Sequence, residues 1–114
     1  MELIEQLSLE FARWLTEGNY TKAHGYLTFA NRLIWTSKWL RKKYEKMIEY
    51  GDGPAEGIEL VQSDKMEGWA SYKKGDIGWV YVAIYGPGFN EAVALIFKDE
   101  NGSAKIRNIE WGRP

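Results

Sequence analysis

The side chains of this sequence with chemistry to offer are few: one histidine, His24, two carboxylates set among apolar residues, Asp64 and Glu91, and an arginine inside the final apolar run, Arg107. A histidine–aspartate pair for proton transfer must use His24, because there is no other imidazole. His24 flanks Ala23 and lies three residues before Leu27, at the edge of an apolar stripe. A general base needs an orienting partner within reach, so a partly exposed histidine without catalytic duty is the simpler account. Glu91 opens the run "EAVALIF" just after Pro87-Gly88. In an apolar enclosure such a carboxylate has a raised pKa and can move protons, whereas at a solvated strand end it is an ordinary surface charge. Asp64 falls where the preceding run is interrupted. Arg107 interrupts "AKIRNIEW"; turned inward, it implies an anionic ligand or a buried partner such as Glu91, and turned outward, a sheet-surface charge.

Aromatic residues make up 15% of the chain, enough that the core alone need not absorb them all. Tyr26, Tyr44, Trp79 and Tyr81 offer stacking surface and hydroxyls that orient a ligand. Any one of them taken singly fits a core position, and collectively they point to a ligand with a flat or apolar surface. The basic group Lys38, Arg41, Lys42, Lys43 and Lys46, beside Trp35 and Trp39, has the composition of a phosphate-contacting face. Glu45 and Glu49 share that stretch and no base-reading element accompanies it, so a solvated helix face is expected and no nucleic-acid partner. "YGPGF" lacks the GxGxxG spacing and the following helix of a phosphate loop.

With no cysteine, disulfides, thiolate metal sites and thiol nucleophiles are excluded, and neither a metal nor a cofactor is expected. Fifteen basic residues against sixteen acidic ones leave a net charge of -1, so attraction to nucleic acid or anionic lipid would have to be local. "MELIEQLSLEFARWL" carries acids where a signal peptide needs a basic start, and no apolar run reaches the ~18 residues of a membrane span. The expectation is a soluble, cytoplasmic protein with no membrane partner.

These residues are positioned by a simple order of elements within one domain, residues 1–114. Ile4, Leu7, Phe11, Trp14 and Leu15 form the stripe of an amphipathic helix, and Gly18 stands where a left-handed residue would stop it. Asn19 is suited to cap a short second helix with Tyr20, Ala23 and Leu27 inward. "FANRLIWTS" breaks the periodicity and reads as a connection, with Thr36 or Ser37 capping a third helix whose stripe is Leu40, Tyr44, Met47 and Ile48. After the loop "GDGPAEG" the period becomes two. "GIELVQSDKMEGWASYKKGD" reads as one long or two short strands interrupted near Ser63-Asp64-Lys65. "IGWVYVAIYG" is apolar on both faces, with Trp79, Tyr81 and Tyr85 on one and Val80, Val82 and Ile84 on the other; "FNEAVALIFK" and "AKIRNIEW" follow. Pro87-Gly88 and Asn101-Gly102 mark the turns. Helices followed by an antiparallel meander predict an α+β fold.

The joints of this order carry a resemblance. "FARWLTEGNYTKAHGYL", an aromatic-rich helix end running through Gly-Asn-Tyr into a second helix, "SKWLRKKYEKMI" before the sheet, and the closing "DENGSAKIRNIEWGRP" together resemble the NTF2-like superfamily, the fold shared by nuclear transport factor 2, ketosteroid isomerase and scytalone dehydratase. The resemblance spans nearly the whole chain and rests on pattern, without an invariant signature. It implies three N-terminal helices packed on a strongly curved antiparallel sheet, an NTF2-like cone, with Trp14 and Tyr26 near its mouth. It also implies a homodimer through the open sheet face, consistent with the doubly apolar "IGWVYVAIY".

Three functions follow as expectations. The first is a non-catalytic domain that binds a small apolar or aromatic molecule, or a protein segment, in its cone, using Trp14, Tyr26, Tyr44, Trp79, Tyr81, Glu91 and Arg107. The second is an isomerase or lyase of the ketosteroid isomerase or scytalone dehydratase type, with Glu91 or Asp64 as base. The third is an interaction module that uses the sheet face or the Trp35–Trp39 surface. A carboxylate and a hydroxyl converging inside a cavity would mark the second, and a filled core the third.

Overall fold

The first helix, α1 (Glu2–Thr16), buries Ile4, Phe11 and Leu15, three members of the expected stripe. The structure is a computed structural model and describes residues 2–66, 68 and 72–112. Ser8, between two buried turns of α1, keeps its hydroxyl satisfied by donating to the Ile4 carbonyl at 2.7 Å. The helix stops because Gly18 takes a φ of +77°, a conformation that an L side chain resists. The Gly18 N–H then reaches the Leu15 carbonyl at 3.1 Å and the Asn19 N–H the Trp14 carbonyl at 2.9 Å, the paired bonds of a Schellman ending.

Asn19 restarts the chain as the cap of α2 (Tyr20–His24), its side chain accepting from the Lys22 N–H at 3.2 Å. Thr36 likewise caps α4 (Ser37–Ile48), accepting from the Trp39 N–H at 3.0 Å. Between them lies a helix in place of the expected connection. Thr28 caps α3 (Phe29–Ile34), none of whose residues is buried. A helix that buries nothing leaves no apolar periodicity to detect, so the described residues contain four helices where the spacing predicts three.

The four strands β1 (Gly57–Lys65), β2 (Asp76–Gly86), β3 (Phe89–Glu100) and β4 (Ser103–Trp111) form an open antiparallel meander in the order β1-β2-β3-β4. The interruption expected near Ser63-Asp64-Lys65 is absent, since these residues pair with Val80, Trp79 and Gly78; the strand is irregular earlier, at a bulge between Leu60 and Gln62, and the run's second half falls partly outside the described residues. Gly88 at φ +78° behind Pro87 turns β2 into β3, and Asn101 and Gly102, at +55° and +87°, turn β3 into β4 as a primed hairpin demands.

Register decides which face is core. Val82 pairs with Val93, and Val80 with Leu95, which in turn pairs with Ile109. These residues join Ile4, Phe11 and Leu15 of α1 and Leu40 and Tyr44 of α4 in one buried cluster. Helix α1 approaches β1 and β2, and α4 approaches β3 and β4. Gly78 permits this closeness: a Cβ there would stand 2.5 Å from the Asp64 carbonyl oxygen and 3.0 Å from the Ile4 side chain. Trp79 opposite Ile96, Tyr81 opposite Ala94 and Ala83 opposite Ala92 alternate with these core pairs and so occupy the other face.

The two sheet edges differ. Along β4, the chain after α2 lies parallel to the strand, with Leu27 bridged to Ile106, the Thr28 N–H donating to the Ile106 carbonyl at 2.9 Å and the Ile106 N–H to the Tyr26 carbonyl at 2.8 Å. No such segment runs beside β1 among the described residues.

Candidate functional site

The turn after α1 brings Trp14 and Tyr26 together. The Trp14 indole N–H donates to the Tyr26 hydroxyl at 3.2 Å, and that hydroxyl donates to the Glu10 carboxylate at 2.8 Å. The Tyr26 ring meets Phe11 edge-on with centroids 6.1 Å apart, and the Lys22 ammonium stands 4.5 Å above Trp14. Burial pushes the Tyr26 pKa up, the Trp14 bond offsets part of this, and Glu10 adds to the rise. The phenol therefore stays protonated and serves as a fixed donor.

Tyr44 is 4% exposed and belongs to the core cluster. Among the described residues its hydroxyl has no hydrogen-bond partner, and neither has the buried indole N–H of Trp111. Burial, with the neighbouring Tyr20 adding to it, pushes the Tyr44 phenol up to about 12. Trp111 meets Trp39 edge-on at 6.2 Å, and Trp39 stacks on Trp35 at 4.7 Å, so an aromatic column ties β4 to the start of α4.

Trp79 and Tyr81 do not join this group. The register sets them on the face opposite the core cluster, half-buried, while Trp14, Tyr26 and Tyr44 lie in or against that cluster. The sequence groups Trp79 with Tyr81 and Val80 with Val82 correctly by face, but one pocket does not hold all five tyrosine and tryptophan candidates.

Glu91 pairs with Ile84 on the core side, at the end of the sheet. Its carboxylate accepts from the Tyr50 hydroxyl at 2.5 Å beside a shallow surface depression bounded by Gly88, Phe89 and Asn90. A carboxylate and a hydroxyl do converge here, but Tyr50 is 56% exposed, so the pair is not walled off from water. Asp64 is exposed and accepts from the N–H of its neighbour Lys65 at 2.7 Å.

Arg107 finds a partner other than Glu91. Its guanidinium grips Asp76 with two bonds, 2.6 Å from Nε to Oδ1 and 2.7 Å from Nη2 to Oδ2. The Asp76 side chain is fully buried and that of Arg107 is 15% exposed. Burial alone would raise the Asp76 pKa; the Arg107 bonds, the Lys73 N–H at 2.8 Å and the nearby cations outweigh it and hold the carboxyl below its usual range. The Asp76 bonds raise the Arg107 pKa in turn. A guanidinium so engaged is a cross-sheet tie.

His24 has a structural role. Its Nε2 lies 2.8 Å from the Trp35 carbonyl and 3.1 Å from that of Arg32, both acceptors, so this nitrogen carries the proton and closes the end of α3. Of the basic group on α4, Arg41 pairs with Glu45 at 3.1 Å and Lys43 stands 5.6 Å over Trp39.

Sequence reasoning missed Asp76, Tyr50, Glu10 and Trp111. Asp76 closes the stretch "GIELVQSDKMEGWASYKKGD", read as one or two strands, and only the strand order reveals that it faces Arg107 across β3. Among the described residues no three metal-ligating side chains come together, and no helix is long and apolar enough to cross a membrane. Comparison with family models, with curated proteins and with solved structures returns no match.

Proposed function

We propose that this chain is a non-catalytic interaction domain of NTF2-like layout, with its helices over the concave side of a curved sheet, that pairs with a second copy of itself through the opposite sheet face. The observation that carries the reading is the position of Trp79, Tyr81 and Ile96. They stand together on the face that excludes the core cluster, with Ala83, Ala92 and Ala94 as small neighbours between them. Large aromatic side chains over a floor of alanines form a surface that another such surface can interlock with, and an apolar face of this kind is stabilised by being covered. A two-fold pairing is the simplest way to cover it, since one patch then serves both partners. Sedimentation equilibrium of the wild type and of Tyr81→Glu tests this: the wild type sediments as a dimer and the variant as a monomer. A monomeric wild type at tens of micromolar would refute it.

A second reading is supported by the orphaned donors of Tyr44 and Trp111. Buried polar groups are ordinarily paired, and two without partners beside an aromatic column favour a small flat molecule with acceptor atoms held in the cone. A molecule retained through native purification, and lost in Tyr44→Phe, would establish it. The isomerase or lyase reading has less behind it, because Glu91 and Asp64 both border solvent.

A further inference from the structure

One face of helix α1, with Leu60 of β1, lines an open groove of about 740 Å³ whose apolar residues are Leu3, Leu9 and Leu60, with Glu2, Glu5 and Glu10 among the others. The Glu5 carboxylate is held at the groove by the Ser63 hydroxyl, and Glu10 by Tyr26 and Gln6. Among the described residues none of the three acids has a salt-bridge partner. Beside the groove runs β1, the sheet edge along which no described segment lies, whereas the β4 edge is closed by residues 26–28. On the far face of β1, Glu59 and Asp64 are exposed, as is Val61 at the bulge.

We infer that the β1 edge with its α1 groove is a docking site for an extended basic segment of a partner protein, added to the sheet as a fifth strand. An edge strand presents unpaired N–H and C=O groups that a further strand satisfies. The alternation of that strand would send one set of side chains beneath α1 onto Leu3, Leu9 and Leu60 and the other set across from Glu59 and Asp64. The first set is apolar. The second is lysine or arginine, since Glu59 and Asp64 present exposed carboxylates on that face, while Glu2, Glu5 and Glu10 keep the rim of the groove acidic against Arg13 alone. The same charge argues against a second copy of this chain as occupant, because two acidic edges repel when brought side by side. Glu59 pairs with Ala83 and Asp64 with Trp79, so these two acids border the proposed dimer face, while the α1 groove lies on the other side of the sheet.

The test is fluorescence anisotropy with a fluorescein-labelled (Val-Lys)4 peptide, combined with amide chemical-shift mapping of the labelled protein. Controls are (Val-Glu)4 and a (Val-Lys)4 peptide N-methylated at alternate residues, which keeps the charge and removes strand pairing. The expected result is saturable, salt-sensitive binding of (Val-Lys)4 that shifts the amides of β1 and of the first half of α1. The N-methylated peptide should bind at least about tenfold more weakly. Glu59→Lys and, as an independent variant at a 59% exposed position, Leu3→Lys should each weaken binding to a similar degree without loss of fold. Absence of saturable binding, equal binding of the N-methylated peptide, or shifts that map away from β1 would overturn the inference.

Discussion

Asp76 and Arg107 lock β2 to β4 across the intervening β3 through two charge-assisted hydrogen bonds of 2.6 and 2.7 Å, with the aspartate side chain wholly out of solvent. A buried pair of this kind is costly to break, because removing one partner strands the other's charge. Asp76→Asn should therefore destabilise the fold by about 3 kcal/mol or more in denaturant unfolding. A loss below about 1 kcal/mol would show that the pair is solvent-screened.

The same pair sets a pH dependence. The folded-state pKa of Asp76 is held below its unfolded value, so its contribution is complete above the unfolded carboxylate range and is lost as pH falls through the folded pKa. Wild-type stability should fall on acidification below about pH 4, more steeply than that of Asp76→Asn. Parallel profiles for the two proteins would contradict the assignment.

His24 ties α2 to the end of α3 through the Trp35 and Arg32 carbonyls. Loss of a partly buried donor that satisfies two carbonyls should cost about 1 to 3 kcal/mol, so His24→Ala is expected to lower the thermal midpoint. Because the role is structural, the substitution should leave dimer formation intact. An unchanged midpoint would argue that the contacts are incidental.

Tyr44→Phe separates the two functional readings. The hydroxyl has no partner among the described residues, so its removal should be neutral or stabilising by up to about 1 kcal/mol. Destabilisation of purified protein, reversed by stripping a bound molecule from the wild type, would instead show that the hydroxyl holds a ligand.

Features set by neighbouring residues were legible in the sequence. Gly18 and Asn19 stop one helix and cap the next, Thr36 caps the last, and Asn101-Gly102 makes its hairpin, because each depends on atoms within a few residues. The alternation of Val80, Val82 and Ile84 with Trp79, Tyr81 and Tyr85 was legible as a pattern, but which set faces the helices is fixed by pairing with β3. α3 was hidden because Phe29, Leu33 and Ile34 point outward, 60%, 71% and 71% exposed, and leave no buried stripe. The Arg107 partner was hidden for a different reason: Asp76 is brought to it only by the meander order and by bulges in both strands, which local spacing does not encode. The open β1 edge was hidden likewise, since it follows from residues 26–28 closing the other one.

The central claim is that the Trp79–Tyr81 face is covered by its own copy, and native mass spectrometry of freshly purified protein tests it most directly. From a chain of 13.2 kDa the account predicts a species of about twice that mass, collapsing to the single-chain mass in Tyr81→Glu. A single-chain wild type, above all one carrying a retained small molecule, would contradict it.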